Sequence, residues 1–262
     1  MALIEQARPV ILQLQGISKA FAHEKARHHM VLDNLNLNVQ EGEFVTVVGP
    51  SGCGKTTLLN IIAGLDAPDS GSVSAAGAGA KRRIVVIFQE GALFPWLTVL
   101  ENVEFGLKAA GVPKEQRRAT AGRFIEMVQL TQFADSFVHQ LSGGMKQRVA
   151  IARALALDPQ VLLMDEPFAA LDMQTRELLH KQLLQIHEST GKTILFVTHN
   201  IDEALALGDR VLVLSSRTGG IKKEISINHE KPRDLQSPQI AAIRRQLLGE
   251  LQEEFRLATS RT

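Results

Sequence analysis

The chain has no tyrosine, a single tryptophan (Trp96) and a single cysteine (Cys53). One cysteine excludes an internal disulfide and a cysteine-rich metal site, and it suits a reducing compartment. Charge of either sign is not in excess: 29 basic residues stand against 28 acidic ones, a net charge of +1. The broad basic field of a nucleic-acid binder is missing, so no nucleic-acid partner is expected. No stretch approaches the roughly 18 uncharged apolar residues of a membrane span, so any membrane role must come through a partner. Met1 to Pro9 carries an acid and a proline where a signal peptide needs an apolar run, which points to a cytosolic chain. What is present is length and apolar content. The 262 residues, 45% of them hydrophobic, suffice for one large α/β domain or a core with a small appended lobe.

Short β-rich runs alternate with helical periodicity. The candidate strands are Phe44 to Val48, Ile84 to Phe88, Val161 to Met164, Ile194 to Val197 and Val211 to Leu214. Several are continuously apolar rather than alternating, the pattern of parallel strands buried on both faces. Lys55 to Ala63 reads as a helix closed by Gly64 at a left-handed cap. Gln174 to Glu188 reads as a helix with Leu178, Leu179, Leu183 and Ile186 on one face. Between about Glu90 and Gln140 the patterns are helical (Val99 to Ala110, Lys114 to Leu130) with no convincing strand, which suggests a helical lobe inserted into the core. Ala75 to Ala80 reads as a flexible turn. After Leu214 one helix and some loop are expected. Ser237-Pro238 forms its cap and first turn, and Ile240, Ile243, Leu247, Leu251 and Phe255 share a face.

Gly49-Pro50-Ser51-Gly52-Cys53-Gly54-Lys55-Thr56 fits the P-loop pattern and lies directly between an apolar strand and a helix. Glycines let backbone N–H groups converge on a phosphate, and the helix N-terminus adds its dipole. Lys55 suits the β- and γ-phosphates, and the Thr56 hydroxyl suits Mg²⁺. Cys53 sits inside this loop, where the helix N-terminus and Lys55 favour thiolate if solvent reaches it; the alternative is a small buried side chain that fits the loop. Val161 to Asp165-Glu166-Pro167 is a second element, an apolar strand ending in two carboxylates. Asp165 suits the Mg²⁺ shell, and Glu166 suits polarisation of an attacking water. Kinases, GTPases and helicases share these two elements.

Leu141-Ser142-Gly143-Gly144-Met145 narrows the choice. Ser142 and two glycines opening a helix make another anion site. Here the sequence resembles the ABC ATPase family, whose signature is Leu-Ser-Gly-Gly-Gln. Met145 replaces the usual glutamine, and Gln147 follows two places on. The resemblance runs from about Leu12 to Val213. It implies an α/β fold with a P-loop NTPase (RecA-like) core over residues 1–89 and 141–214. An antiparallel β N-terminal part, an α-helical lobe at 90–140 and a short C-terminal segment at 215–262 complete it.

The same resemblance implies an ATPase that works as a pair of cassettes, with ATP and Mg²⁺ as its cofactors. Gly49, Pro50, Ser51, Gly52, Cys53, Gly54, Lys55, Thr56 and Thr57 hold the nucleotide, while Ser142, Gly143 and Gly144 complete the site of the opposite copy. Gln89 resembles the Q-loop residue and Asp172 the D-loop aspartate. His199 resembles the H-loop histidine that contacts the γ-phosphate. Lys55, Gln89, Glu166 and His199 form the catalytic set, and Thr56, Gln89 and Asp165 the metal set. In the absence of tyrosine, Phe21 is the candidate for adenine stacking, with simple packing as its alternative.

The implied partners are membrane permease subunits, a second cassette and a separate solute-binding protein, at the cytoplasmic face of the membrane. Phe94, Trp96, Leu97 and Val99 mark the groove for the permease, with core packing as the alternative for Trp96. Phe88 to Trp96 and Thr98 to Gly106 are similar to the nitrate, sulfonate, taurine and bicarbonate importers. An exporter or lipid-handling cassette is the alternative. A non-transport ABC ATPase fits less well, because only about ninety residues separate the P-loop from the signature. A P-loop kinase lacks that signature.

Overall fold

A computed structural model describes residues 8–22, 28–75, 84–89 and 91–259. Its strands are β1 (Val10–Ala22), β2 (His28–Gln40), β3 (Phe44–Val48), β4 (Ser70–Ala75), β5 (Ile84–Ile87), β6 (Val161–Asp165), β7 (Thr193–Val197), β8 (Arg210–Leu214) and β9 (Ile221–Ser226). The helices longer than one turn are α1 (Lys55–Ala63), α2 (Val99–Ala109), α3 (Lys114–Met127), α4 (Gly143–Ala156), α5 (Met173–Thr190), α6 (Ile201–Leu207) and α7 (Pro238–Thr259).

Two sheets form. One is antiparallel, in the order β2-β1-β4. The other has the order β5-β6-β7-β3-β8-β9, parallel from β5 to β8 and closed by β9 running antiparallel. In β3 and β7 every residue is buried, as apolar runs covered on both faces require. Successive side chains serve opposite layers. Val45 and Val47 pack with α1 and the antiparallel sheet, whereas Phe44 packs with the helices from α2 to α5. A third cluster joins Val48, Val211 and Val213 to α6 and α7.

The expected strands all form, with small changes at their ends. β5 stops at Ile87, while β6 runs on to Asp165 and carries that carboxylate at its tip. α3 ends before Leu130 because the chain leaves it through Gln129 in the left-handed region (φ 58°). On α5, Leu179, Leu183 and Ile186 are buried but Leu178 faces solvent, since 100° per residue turns it off the stripe. The segment after Leu214 holds a strand where only loop and helix were expected. β9 is an edge strand rich in charge (Lys222, Lys223, Glu224), a composition that blunts edge pairing and hides the strand pattern. α7 begins at Pro238 and buries Ile240, Leu247 and Leu251, with Ile243 half-buried. Ser237 directly precedes the helix, and its hydroxyl donates to the Asp234 carbonyl (2.8 Å). The side chain of Phe255, and residues 76–80 of the expected turn, lie outside the described residues.

The segment from Gly91 to Gln140 is helical, and its helices α2 and α3 pack on each other and on α4. α2 opens with a reciprocal capping box. Thr98 Oγ1 accepts from the Glu101 N–H (3.2 Å), and the Thr98 N–H donates to Glu101 Oε2 (2.9 Å).

Candidate functional site

The phosphate loop follows from the local chemistry of its glycines. Gly52 and Gly54 hold φ of 78° and 97°, where other residues are strained. A Cβ on Gly54 would lie 2.9 Å from carbons of Leu32 and Val31. The loop turns tightly into α1, whose first residue is Lys55. That side chain is 7% exposed, and its ammonium donates to the Gly49 and Pro50 carbonyls (2.9 and 3.1 Å). An ammonium held by neutral carbonyls keeps its charge available to an arriving anion. Cys53 is 1% exposed with its Sγ packed toward Gly49, and burial pushes its thiol pKa up despite the Lys55 charge. The conditional thiolate reading therefore gives way to the packing one.

The tips of β6 and β7 bring the acidic and imidazole groups to this loop. Asp165, at the tip of β6, lies close to the Thr56 hydroxyl. Its pKa is raised, chiefly by burial and further by the Glu166 charge, against the opposing pull of Thr56 and Lys55. Such a carboxylate gains from a cation. Among the described residues no group of three or more His, Cys, Asp or Glu side chains is placed to hold a metal.

Glu166 sits at φ 44°, a strained position for a non-glycine residue, with its N–H fixed on the Val197 carbonyl (3.0 Å). Its Oε2 meets His199 Nδ1 at 2.7 Å. Glu166 lines a cleft of about 330 Å³ with Ser51, Gly52, Gly54, Lys55, Thr56, Thr57 and Val31. The structure thus brings together the phosphate loop, Asp165 with Glu166, and His199 from three separate stretches of sequence.

Other expected residues lie apart from that cleft. Ser142 caps α4, its Oγ accepting from the Met145 N–H (3.3 Å), and both Ser142 and Gly143 are exposed. Gly144 is buried; a Cβ there would fall 2.5 Å from Thr175 Cγ2, so glycine permits α4 to approach α5. None of the three lines the cleft of their own chain. Gln147 is 4% exposed and therefore does not replace the signature glutamine at the surface. Asp172 caps α5 through the Thr175 N–H (2.9 Å) and hydroxyl (2.7 Å). Those bonds lower its pKa. Gln89 is exposed in the turn beyond β5.

Phe21 is 44% exposed on β1, with the Lys19 ammonium 5.4 Å from its ring centre. Simple core packing does not account for it. Trp96 is 69% exposed, so it is no core residue either, whereas Val99, the first residue of α2, is fully buried. Phe94 lies between Trp96 and Phe105, with ring centres 5.6 and 4.3 Å away.

Sequence reasoning missed the residues that hold these segments. Asn102, fully buried, binds both the N–H and the carbonyl of Phe94 (2.9 and 3.1 Å). Arg153 of α4 donates to the Gly91 and Ala92 carbonyls (2.7 and 2.8 Å), fixing the segment after Gln89 against the helix that Ser142 opens. An asparagine at 102, inside an apolar helix face, was the available signal.

Residues 32–169 match the ABC transporter family. This chain belongs to that family. Within it the chain is an ATP-hydrolysing cassette. It is 52% identical over 250 residues to an uncharacterized ABC transporter ATP-binding protein of Methanocaldococcus jannaschii, covering 94% of this chain and 92% of the other. It is 47% identical over 232 residues to the nitrate import ATP-binding protein of a Synechocystis species (87% and 85% covered). The taurine import ATP-binding protein of Roseobacter denitrificans is 45% identical over 216 residues (81% of each). Among solved structures, the cassette resembles the dimeric cassette MJ0796 in a post-hydrolysis state bound to ADP and phosphate. The TM-score is 0.72 at 37% identity, over 84% of this chain and all of the other.

Proposed function

We propose that the cassette binds and hydrolyses ATP as one of a pair, and so drives uptake of a small anionic solute through a membrane permease. The contact between Glu166 and His199 at the rim of the phosphate loop carries the reading, because it joins a water-polarising carboxylate to an imidazole beside the Lys55 ammonium. The loop N–H groups and Lys55 bind the phosphates of ATP, and Phe21 stacks its base. Thr56, Asp165 and Gln89 are the groups that would hold Mg²⁺, and the ion would supply charge neutralisation between phosphates. Glu166 orients and polarises the water for in-line attack, and His199 fixes Glu166 and faces the γ-phosphate. Ser142, Gly143 and Gly144 present the N-terminus of α4 to the nucleotide of the facing cassette, with Asp172 nearby.

The functional division follows: residues 1–89 and 141–214 hold nucleotide, 90–140 meet the permease, and 215–262 close the core. Trp96 and Leu97, in a cleft of about 410 Å³ with Phe105 and Lys108, suit the permease contact at the cytoplasmic face. The nitrate and taurine relatives support an importer fed by a separate solute-binding protein. Co-expression with candidate permeases tests this. The cassette should co-purify with one of them, and ATP hydrolysis by that complex should rise with nitrate, taurine, another sulfonate or bicarbonate plus the binding protein. A cassette active only without any membrane subunit would refute the transport reading.

A further inference from the structure

Glu203 is 4% exposed in the first turn of α6, outside the phosphate cleft, and its two carboxylate oxygens face different parts of the site. Oε2 accepts from the Thr198 hydroxyl at 2.5 Å. Oε1 lies 3.4 Å from Arg176 Nε and 3.5 Å from His180 Nε2, two side chains one turn apart on α5. A buried carboxylate is costly unless charged or hydrogen-bonding groups meet it, and here they come from two separate elements.

Each neighbour leads to the catalytic segments. Thr198 immediately precedes His199, its N–H donates to the Val47 carbonyl (3.1 Å), and its Oγ1 accepts from the Asn200 N–H (2.9 Å). Both bonds fix the backbone that carries the imidazole. Arg176 donates to the Leu171 carbonyl (2.8 Å), directly before Asp172. His180 packs on Phe168, two residues after Glu166, with ring centres 5.4 Å apart.

We propose that Glu203 is a positioning residue, which holds the His199–Glu166 pair in its working geometry and keys it to the Leu171–Asp172 segment through Arg176. This rests on the roles given above to Glu166 and His199. The carboxylate touches neither nucleotide nor water. It acts through Thr198 and Arg176.

The experiment is a double-mutant cycle on ATP turnover by the full-length chain, with the Kd for ATP and thermal unfolding measured on every variant. Glu203→Gln keeps size and hydrogen-bonding capacity but loses the charge that Arg176 meets. Its kcat should fall on the order of 100-fold, as for a misplaced catalytic group, with the Kd for ATP unchanged. Thr198→Val should match it, and Thr198→Ser should restore turnover. In a His199→Ala background, Glu203→Gln or Thr198→Val should add little, because their effect runs through the imidazole.

Losses that multiply in the double variants, or wild-type kcat in Glu203→Gln or in Thr198→Val, would overturn the proposal. Should Glu203→Gln fail to fold, the Thr198 pair carries the same cycle. Wild-type turnover in both His199→Ala and Glu166→Gln would instead overturn the underlying assignment, and that outcome is read from the single variants alone.

Discussion

The phosphate loop and the signature segment are both glycine-rich openings of helices, yet a single chain finishes only one of them. Around the phosphate loop Lys55 is buried and satisfied, Thr56 lines the cleft, and the Glu166–His199 pair stands at its rim. Around Ser142 everything behind the helix is packed, with Gly144 pressed on Thr175 and Gly143 near Leu171, but the front is open. The first site has its chemistry and lacks a cover. The second has an exposed helix N-terminus, and its residues do not line the phosphate cleft. The pairing proposed above would supply both deficits, and the similar cassette MJ0796 is dimeric in its post-hydrolysis state.

The largest test of that contrast removes chemistry from the complete half. Glu166→Gln keeps the shape of the side chain but not its basicity, so turnover should fall roughly 100- to 10,000-fold, the usual range for a general base. ATP binding should persist, and a closed ATP-bound pair should accumulate, visible as a dimer by size-exclusion chromatography. Phosphate release at the wild-type rate would remove Glu166 from the catalytic role.

Next comes the open half. Ser142→Arg blocks the N-terminus of α4, and turnover should drop on the order of 100- to 1,000-fold, as when a preorganised donor to the transition state is lost. The single chain should still bind ATP with wild-type affinity, because Ser142 lies outside its own cleft. Joint loss of ATP binding and of thermal stability would make Ser142 a cap for the fold alone, a role worth about 1 kcal/mol.

A smaller effect is expected at the edge of the complete half. Stacking a base on an aromatic ring is worth on the order of 1–3 kcal/mol in single-stranded nucleic-acid sites, so Phe21→Ala should weaken ATP binding about fivefold at the lower end of that range. Phe21→Trp should keep it. Equal affinity in Phe21→Ala and wild type, measured by titration calorimetry, would place the adenine elsewhere.

The two halves also differ in how far the sequence announces them. The strands of the parallel sheet are legible because burial on both faces leaves uninterrupted apolar runs: Phe44 to Val48 appears with the expected limits, as does the glycine-capped helix from Lys55 to Ala63. The cap at Ser142 is legible because its geometry depends on four neighbouring residues. β9 is not, since a charged edge strand is recognised only by its pairing with β8. Nor are the polar contacts that span long separations. Arg233, with only 1% of its side chain exposed, donates to the carbonyls of Leu205, Gly208 and Ile227, and no local period encodes that choice. The meeting of Glu166 with His199, 33 positions apart, is foreseen only through the family resemblance. Asn102, Arg153 and Glu203 are isolated polar residues in helical patterns, and their work is set by tertiary packing.

The smallest effect concerns Cys53, where two local influences oppose each other inside the phosphate loop. The Lys55 charge and nearby backbone N–H groups draw the thiol toward ionisation, but burial outweighs them and holds its pKa above the ordinary value. The folded chain should therefore react slowly with a maleimide at neutral pH, faster as pH rises, and quickly once denaturant unfolds it. Stability should follow the same sign. A folded pKa above the unfolded one, about 8.5, favours the neutral thiol in the fold. Its contribution is complete below that pH and lost as pH rises through the folded pKa. Cys53→Ser should keep ATP turnover and flatten the decline of stability above pH about 8.5, as read from urea unfolding at several pH values. Rapid labelling of the native chain at neutral pH, slowed by ATP, would show instead that the loop opens to solvent and exposes a reactive thiolate beside Lys55.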